Sequence, residues 1–171
     1  RNIQENMGLL RQLLDDMSHF NNADRLHREP TDLCRLLPEA ASSAAAVLSE
    51  RNISLRLDLP EALPVLSLDR NKIRQVFYNL FRNAEEAMPE GGVISVSAWE
   101  EEQQIFIRVT DSGPSIPREF LPTLFEPLVT HKKEGTGLGL AVCREILKAH
   151  QGSISAASDG TPAFTIALLV N

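Results

Sequence analysis

The sequence predicts an α+β fold, a two-layer sandwich in which helices cover one face of a mixed sheet, preceded by one long helix. Between Asp69 and Met88, residues Ile73, Val76, Phe77, Leu80, Phe81, Ala84 and Ala87 recur at helical spacing and form one broad apolar stripe. Beyond it, Val93 to Trp99, Ile105 to Thr110, Ser153 to Ala157 and Ala163 to Val170 read as strands, with one further helix between the second and the third. A striped helix and half-apolar strands in a single chain of 171 residues must bury their faces against each other, which gives a helical layer on a sheet.

Taken in order, Ile3, Met7, Leu10, Leu14 and Met17 are spaced four, three, four, three, the a/d seam of a helix that packs on other helices. One such helix cannot bury its own seam. It needs partner helices or must fold back on its own domain. A chain that begins inside an uncapped helix is expected to be a piece of a longer protein. Pro30 disfavours helical geometry at Glu29, so Arg28 to Leu33 reads as a linker. An alanine-rich helix follows from Leu33 to Glu50, then an alternating strand from Ser54 to Leu59. Asp69 is placed to cap the striped helix. Glu100 to Gln104 forms a polar hairpin between two strands, and Leu138 to His150 is the last helix.

Composition excludes several classes. With 23 acidic against 17 basic residues the net charge is −6, which argues against nucleic acid as a partner, since such binding draws its affinity from phosphate neutralisation. Cys34 and Cys143 lie far apart in expected helices, so buried free thiols in a reducing cytosol are the reading, and Cys and His are too few and too scattered for zinc. No apolar run approaches the ~20 residues needed to cross a bilayer and no signal peptide is visible, so this segment makes no direct membrane contact. A membrane-bound N-terminal portion is compatible with that.

Three segments carry chemistry. Asn79 and Asn83 are four apart and fall along one border of the apolar stripe, looking into a cleft. Asparagine is poor inside a helix, so a half-buried pair needs partners: they cap neighbouring loops, or their neutral amide oxygens serve Mg²⁺ whose charge triphosphate oxygens already meet. The strand from Ile105 ends in Asp111-Ser112-Gly113, either an ordinary turn or a carboxylate accepting from an exocyclic amine beside a glycine that admits a flat ligand. From Phe125 to Leu140 a hydrophobic anchor leads through Lys132 and Lys133 into Gly135, Gly137 and Gly139 and then a helix. Such a run is a flexible loop or a lid whose amides and helix dipole meet phosphate.

In this order and spacing, the segments resemble the ATP-binding catalytic domain of two-component sensor histidine kinases, within the superfamily that includes gyrase-type ATPases. The N box looks like Asn79 to Met88, the first glycine box like Asp111 to Ile116, the F box like Phe125 to Leu128, and the second glycine box like Gly135 to Leu140. The resemblance covers about Thr31 to Asn171 and implies a Bergerat-type fold with ATP and Mg²⁺ as cofactors. It implies that Asn83 ligates Mg²⁺, that Asn79 assists with metal or phosphate, and that Asp111 reads the adenine amino group beside Gly113. Lys132, Thr136, Gly137, Leu138, Gly139 and Leu140 would hold the phosphates under a short lid, of the nitrogen-regulator type, anchored by Phe125. Residues 1–28 would be the second helix of a dimerisation and histidine-phosphotransfer hairpin, through which the whole protein forms a homodimer, and 29–171 the catalytic domain. A response-regulator receiver domain would be the downstream partner, in the cytoplasm.

Departures from the family pattern are Ser115 where a second glycine is usual, His131 in place of a threonine before the lid lysine, and Gln151 interrupting an Ala-His-Gly-Gly ending. Ser115 is expected to alter the base pocket and reduce affinity. Superfamily ATPases carry a glutamate as general base where this chain has Asn79, and an amide cannot accept that proton. Kinase is therefore favoured over hydrolase, because a histidine acceptor brings its own lone pair. None of the four histidines suits the acceptor role: His19 lacks the acidic neighbour, His27 is in a connector, His131 is in the lid, and His150 ends a helix whose dipole would favour its protonated form. The acceptor is expected on a missing helix. The alternatives are a catalytically weak nucleotide-binding module that regulates another kinase, and an ATPase.

Overall fold

The computed structural model describes residues 3–132 and 135–170, and Lys133 lies outside them. Helix α1 (Ile3–Asn21) leads into β1 (Glu29–Thr31), α2 (Leu33–Glu50), β2 (Ile53–Asp58) and β3 (Leu66–Leu68). Then come α3 (Arg70–Ala87), β4 (Gly92–Glu101), β5 (Gln104–Asp111), α4 (Gly139–Ala149), β6 (Ser153–Ala157) and β7 (Ala163–Leu169). A five-stranded sheet runs β2-β4-β5-β7-β6, parallel between β2 and β4 and antiparallel elsewhere. The expected linker does more than connect: β1 pairs with β3, Pro30 opposite Ser67, in a separate two-stranded sheet. Three residues per strand are too few for an alternation to show in the sequence.

One sheet face supplies the core. Val96 pairs with Val109 and Ala98 with Ile107, while Val109 faces Phe164 and Ile107 faces Ile166 across the next ladder. All six are buried, against Ile73, Phe77 and Leu80 of α3 and Val142, Ile146 and Leu147 of α4. At about 1.5–3 kcal/mol for each large side chain removed from water, this layer contact is the main stabilising term. Residues one step out of phase face the other way, where Trp99 stacks on its cross-strand partner Phe106 with centroids 5.5 Å apart. Asp111 pairs with Ile94 and shares the phase of Val109, so its side chain points into the helical layer at the very end of β5.

Helix α1 leans on this body through Leu13, Asp16 and Phe20 and leaves Ile3, Met7, Leu10, Leu14 and Met17 exposed. The seam is therefore not spent on the chain's own domain. No helix among the described residues is long and apolar enough to cross a membrane. Cys34 and Cys143 are both free, and burial pushes the Cys143 thiol up to about 12.

The cap expected at Asp69 is present, and it is shared. Its Oδ1 accepts from Lys72 N at 3.1 Å and its Oδ2 from His27 N at 2.9 Å. Burial alone would raise this carboxyl, but the backbone donors of His27, Lys72 and Asn71 outweigh it and hold it below its usual value. Its own N–H donates to His150 Nε2 at 3.0 Å, and His150 Nδ1 lies 2.7 Å from Ile146 O. That pairing corrects the expectation for His150. With Nε2 accepting, Nδ1 carries the proton and the ring is neutral, and desolvation lowers its pKa despite the helix carbonyl beside it. Gln151 occupies the left-handed position (φ 59) of a helix terminus in which Gly152 N donates to Leu147 O and Gln151 N to Lys148 O.

Two outcomes follow. Because His150 is held neutral when folded, stability is complete above its ordinary pKa of 6.5 and falls as pH drops below it, where only the unfolded chain takes the proton. Urea titrations between pH 8 and 5 will show that slope, reduced in His150→Gln. Gln151→Gly relieves left-handed strain and will stabilise the chain by about 1 kcal/mol in the same assay.

Candidate functional site

The polar border of α3, the glycine-rich start of α4 and the loop between Phe125 and Leu138 enclose one cavity of about 390 Å³. Asn79, Asn83, Lys132, Thr136, Gly137, Gly139 and Leu140 all line it. Spacing four apart on α3 brings both asparagines to that wall, but they differ in freedom. Asn79 is buried and bonded on both sides: its Nδ2 donates to Gly139 O at 3.0 Å and its Oδ1 accepts from Gln75 Nε2 at 3.0 Å. Asn83 is half-buried and its Oδ1 accepts from Lys132 Nζ at 2.7 Å.

That ammonium also donates to Glu86 Oε2 at 2.6 Å. A cation thus rests between an amide oxygen of α3 and a carboxylate one turn further on, two hard oxygens of the kind a divalent ion accepts. No cluster of three or more His, Cys, Asp or Glu side chains suited to a metal occurs among the described residues, so an ion here would take its remaining oxygens from a ligand. The Lys132–Glu86 pair is two-fifths exposed on each side, and such pairs are worth about 0–1 kcal/mol, so Lys132 exchanges partners at little cost.

The first turn of α4 has no side-chain cap, and its Gly139 and Leu140 line the cavity. Of the three alternating glycines only Gly137 takes positive φ, at 69°. The reason is a close crossing. A Cβ there would stand 2.7 Å from the carbonyl carbon of Leu128, whose N–H donates to Gly137 O at 2.9 Å. Leu128 is itself left-handed at φ 63, a strain of about 1–2 kcal/mol that this clasp maintains. Leu138, beside it, points into the core.

Asp111 and Gly113 are not on the lining itself, although their neighbours Ala87, Pro114 and Ser115 are. Asp111 Oδ1 accepts from Gly113 N at 2.8 Å, and a Cβ on Gly113 would come within 2.7 Å of that oxygen. Burial raises the Asp111 pKa, opposed by the Gly113 amide and by the charge of Lys132. Ser115 lines the cavity with no left-handed backbone, its hydroxyl donating to Gly160 O at 3.1 Å. A side chain is therefore tolerated where the family pattern has glycine. Phe125 packs edge-on to Phe164, with centroids 6.2 Å apart, and Phe164 in turn lines the cavity.

Sequence reasoning missed part of this wall. Phe120, in the 3₁₀ turn Arg118–Thr123, stacks on His131 with centroids 3.4 Å apart and roofs the apolar end. Arg82 and Glu86 stand on the same face of α3 as the asparagines and line the cavity. Their position on that border was the available signal.

An uncapped helix start, a glycine clasp and an oxygen-lined cation place around one cavity define a nucleotide-binding α+β domain. Residues 68–170 match the family described as histidine kinase-, DNA gyrase B-, and HSP90-like ATPase. Sensor histidine kinase ZraS of Escherichia coli K12 is 36% identical over 164 residues, which is 95% of this chain and 35% of ZraS. The catalytic domain of histidine kinase ThkA superposes with a TM-score of 0.77 at 29% identity, covering 84% of this chain and 96% of that one. ThkA in complex with the response regulator protein TrrA gives a TM-score of 0.83 at 26% identity, over 99% of this chain and 49% of ThkA. The chain belongs to this ATPase family, in its sensor histidine kinase branch, and has its ATP-binding fold. It spans about a third of the length of ZraS.

Gly137→Ala tests the clasp. The substitution meets backbone at 2.7 Å and forces a left-handed alanine, so nucleotide affinity will fall at least about tenfold. Isothermal titration with ATP measures it.

Proposed function

We propose that this chain is the ATP-binding catalytic part of a sensor histidine kinase, which passes the γ-phosphoryl group of ATP to a histidine on a dimerisation helix for relay to a response-regulator aspartate. The observation that carries this reading is the Lys132 ammonium held by Asn83 and Glu86 beside the uncapped start of α4. It supports a reading in which a triphosphate and its counter-cation take that ammonium's surroundings. Asn83 would hold Mg²⁺ through the amide oxygen that Lys132 vacates, and the ion when bound supplies charge neutralisation and alignment of the triphosphate.

Lys132, released from its exposed pair, would move onto the phosphates, and the amides at Gly139 and Leu140 would receive them at the helix dipole. Thr136, Gly137 and Leu138 set the path of that loop. Asp111, its charge made costly by burial, would accept from the adenine amino group, with Gly113 leaving room for the base. Phe125 would steady the lid from below. Asn79 would assist from the cavity wall while its amide holds α3 to Gly139, and a neutral amide cannot take a water's proton as a general base would. This favours transfer to an imidazole, in which an N–P bond forms as the bond to the ADP oxygen breaks, over hydrolysis.

Residues 1–28 would be the second helix of the dimerisation hairpin, and the exposed seam of Ile3, Met7, Leu10 and Leu14 is the surface a four-helix dimer requires. Residues 29–171 would be the catalytic domain of a cytoplasmic kinase segment.

Asn83→Ala will reduce magnesium-dependent ATP affinity by about tenfold or more, and Asp111→Asn will reduce affinity for ATP and for adenosine alike, each losing a charge-assisted or buried contact of about 1.5–3 kcal/mol. Calorimetry reads both, and unchanged affinities would rule out the assigned roles. Supplied with a helix carrying the acceptor histidine, the chain will yield acid-labile phosphate. Release of free phosphate with no such acceptor would instead identify an ATPase.

A further inference from the structure

One buried charge has no part in the proposed chemistry. Asp16 lies on α1, a helix otherwise exposed along most of its length, yet it is only 4% exposed. Its Oδ2 accepts from Thr136 Oγ1 at 2.6 Å and stands 3.9 Å from Arg82 Nη2. One turn earlier, the Gln12 amide faces both terminal nitrogens of Arg82 at 3.0 Å and, turned so that its Oε1 points to them, accepts from both. Both partners of Asp16 belong to the cavity wall.

Their placement is costly without a counter-charge. Arg82 Nη2 lies 3.5 Å from where a Cβ on Gly139 would stand, so the guanidinium sits at the first residue of α4, where the helix dipole repels cations. Asp16 and Glu86, whose Oε1 is 3.6 Å from Arg82 Nε, hold it there. A hydroxyl has a single proton to donate, and that of Thr136 is given to Asp16. Phosphate oxygens arriving at α4 would seek those same two donors. Two anions, one from α1 and one from the ligand, face one pair of groups.

We propose that Asp16 is a positioning residue that draws Thr136 and Arg82 away from the nucleotide phosphates, so that docking of the C-terminal half of α1 and binding of ATP oppose each other. The inference rests on the nucleotide site proposed above and gives that site a regulator. Whatever moves α1 changes the affinity of the pocket, and by linkage ATP loosens α1 by the same factor. In the dimerisation hairpin proposed above, α1 would thereby reach the phosphate end of the site through one carboxylate.

The test compares ATP with adenosine, which lacks the phosphates. Asp16→Ala will tighten ATP binding about fivefold, the low end of such couplings, and leave adenosine affinity unchanged. Asp16→Asn keeps an acceptor for Thr136 but removes the charge, and will shift ATP affinity in the same direction by less. In a Thr136→Val, Arg82→Ala background the gain will vanish. In the unaltered chain, ATP will speed amide hydrogen exchange across residues 12–20. Unchanged or weaker ATP binding in Asp16→Ala, an equal gain with adenosine, or slower exchange across that segment would overturn the inference while the nucleotide site stands. No ATP binding by the unaltered chain would sink the site itself.

Discussion

The side-by-side packing of α3 and α4 is the constraint on which the rest of the structure depends, and Asn79 fixes its register. A buried amide with unmet groups would cost about 1–3 kcal/mol, so its two bonds, to Gly139 and to Gln75, both have to form. They can form only when the polar border of α3 faces the first residue of α4. Once that is settled, Asn83 and Glu86 fall one and two turns further along the same border, where both meet Lys132 of the loop that precedes α4. The cavity is the space those two elements cannot fill.

Much of this was legible in advance. The apolar stripe of α3, the alternation of β4 and β5 and the position of α4 are properties of periodic segments, and their bounds fall within about three residues of those observed. The border position of Asn79 and Asn83 was legible for the same reason, since a helical angle decides it. What stayed hidden depends on contacts far apart in the chain. Nothing near Asp16 announces Thr136, which lies 120 residues away, and nothing in Phe120 announces His131. The ring state of His150 also depends on a distant group, the Asp69 amide, and so a local dipole argument chose the wrong protonation. Gly137 shows the same limit. Three glycines in alternation suggest a uniformly supple loop, whereas only the one that crosses Leu128 needs its freedom.

The site also shows how one surface can serve opposite charges. Lys132, Arg82, Glu86 and Asp16 neutralise one another in the absence of a ligand. Their ion pairs are partly solvated, so breaking them costs little compared with what a triphosphate would return. Asp16 is the exception, being buried, and it acts on two residues of the cavity wall from another helix.

The outward face of the sheet carries a practical consequence. Trp99 is the chain's single tryptophan, and it stacks with Phe106 on the side of β4 opposite the helices, five residues from the strand position that pairs with Asp111. Its fluorescence therefore reports whether the sheet is intact and is silent about the pocket. Spectroscopy on the native chain can follow melting without interference from ligand, whereas occupancy has to be followed by heat or by a labelled nucleotide.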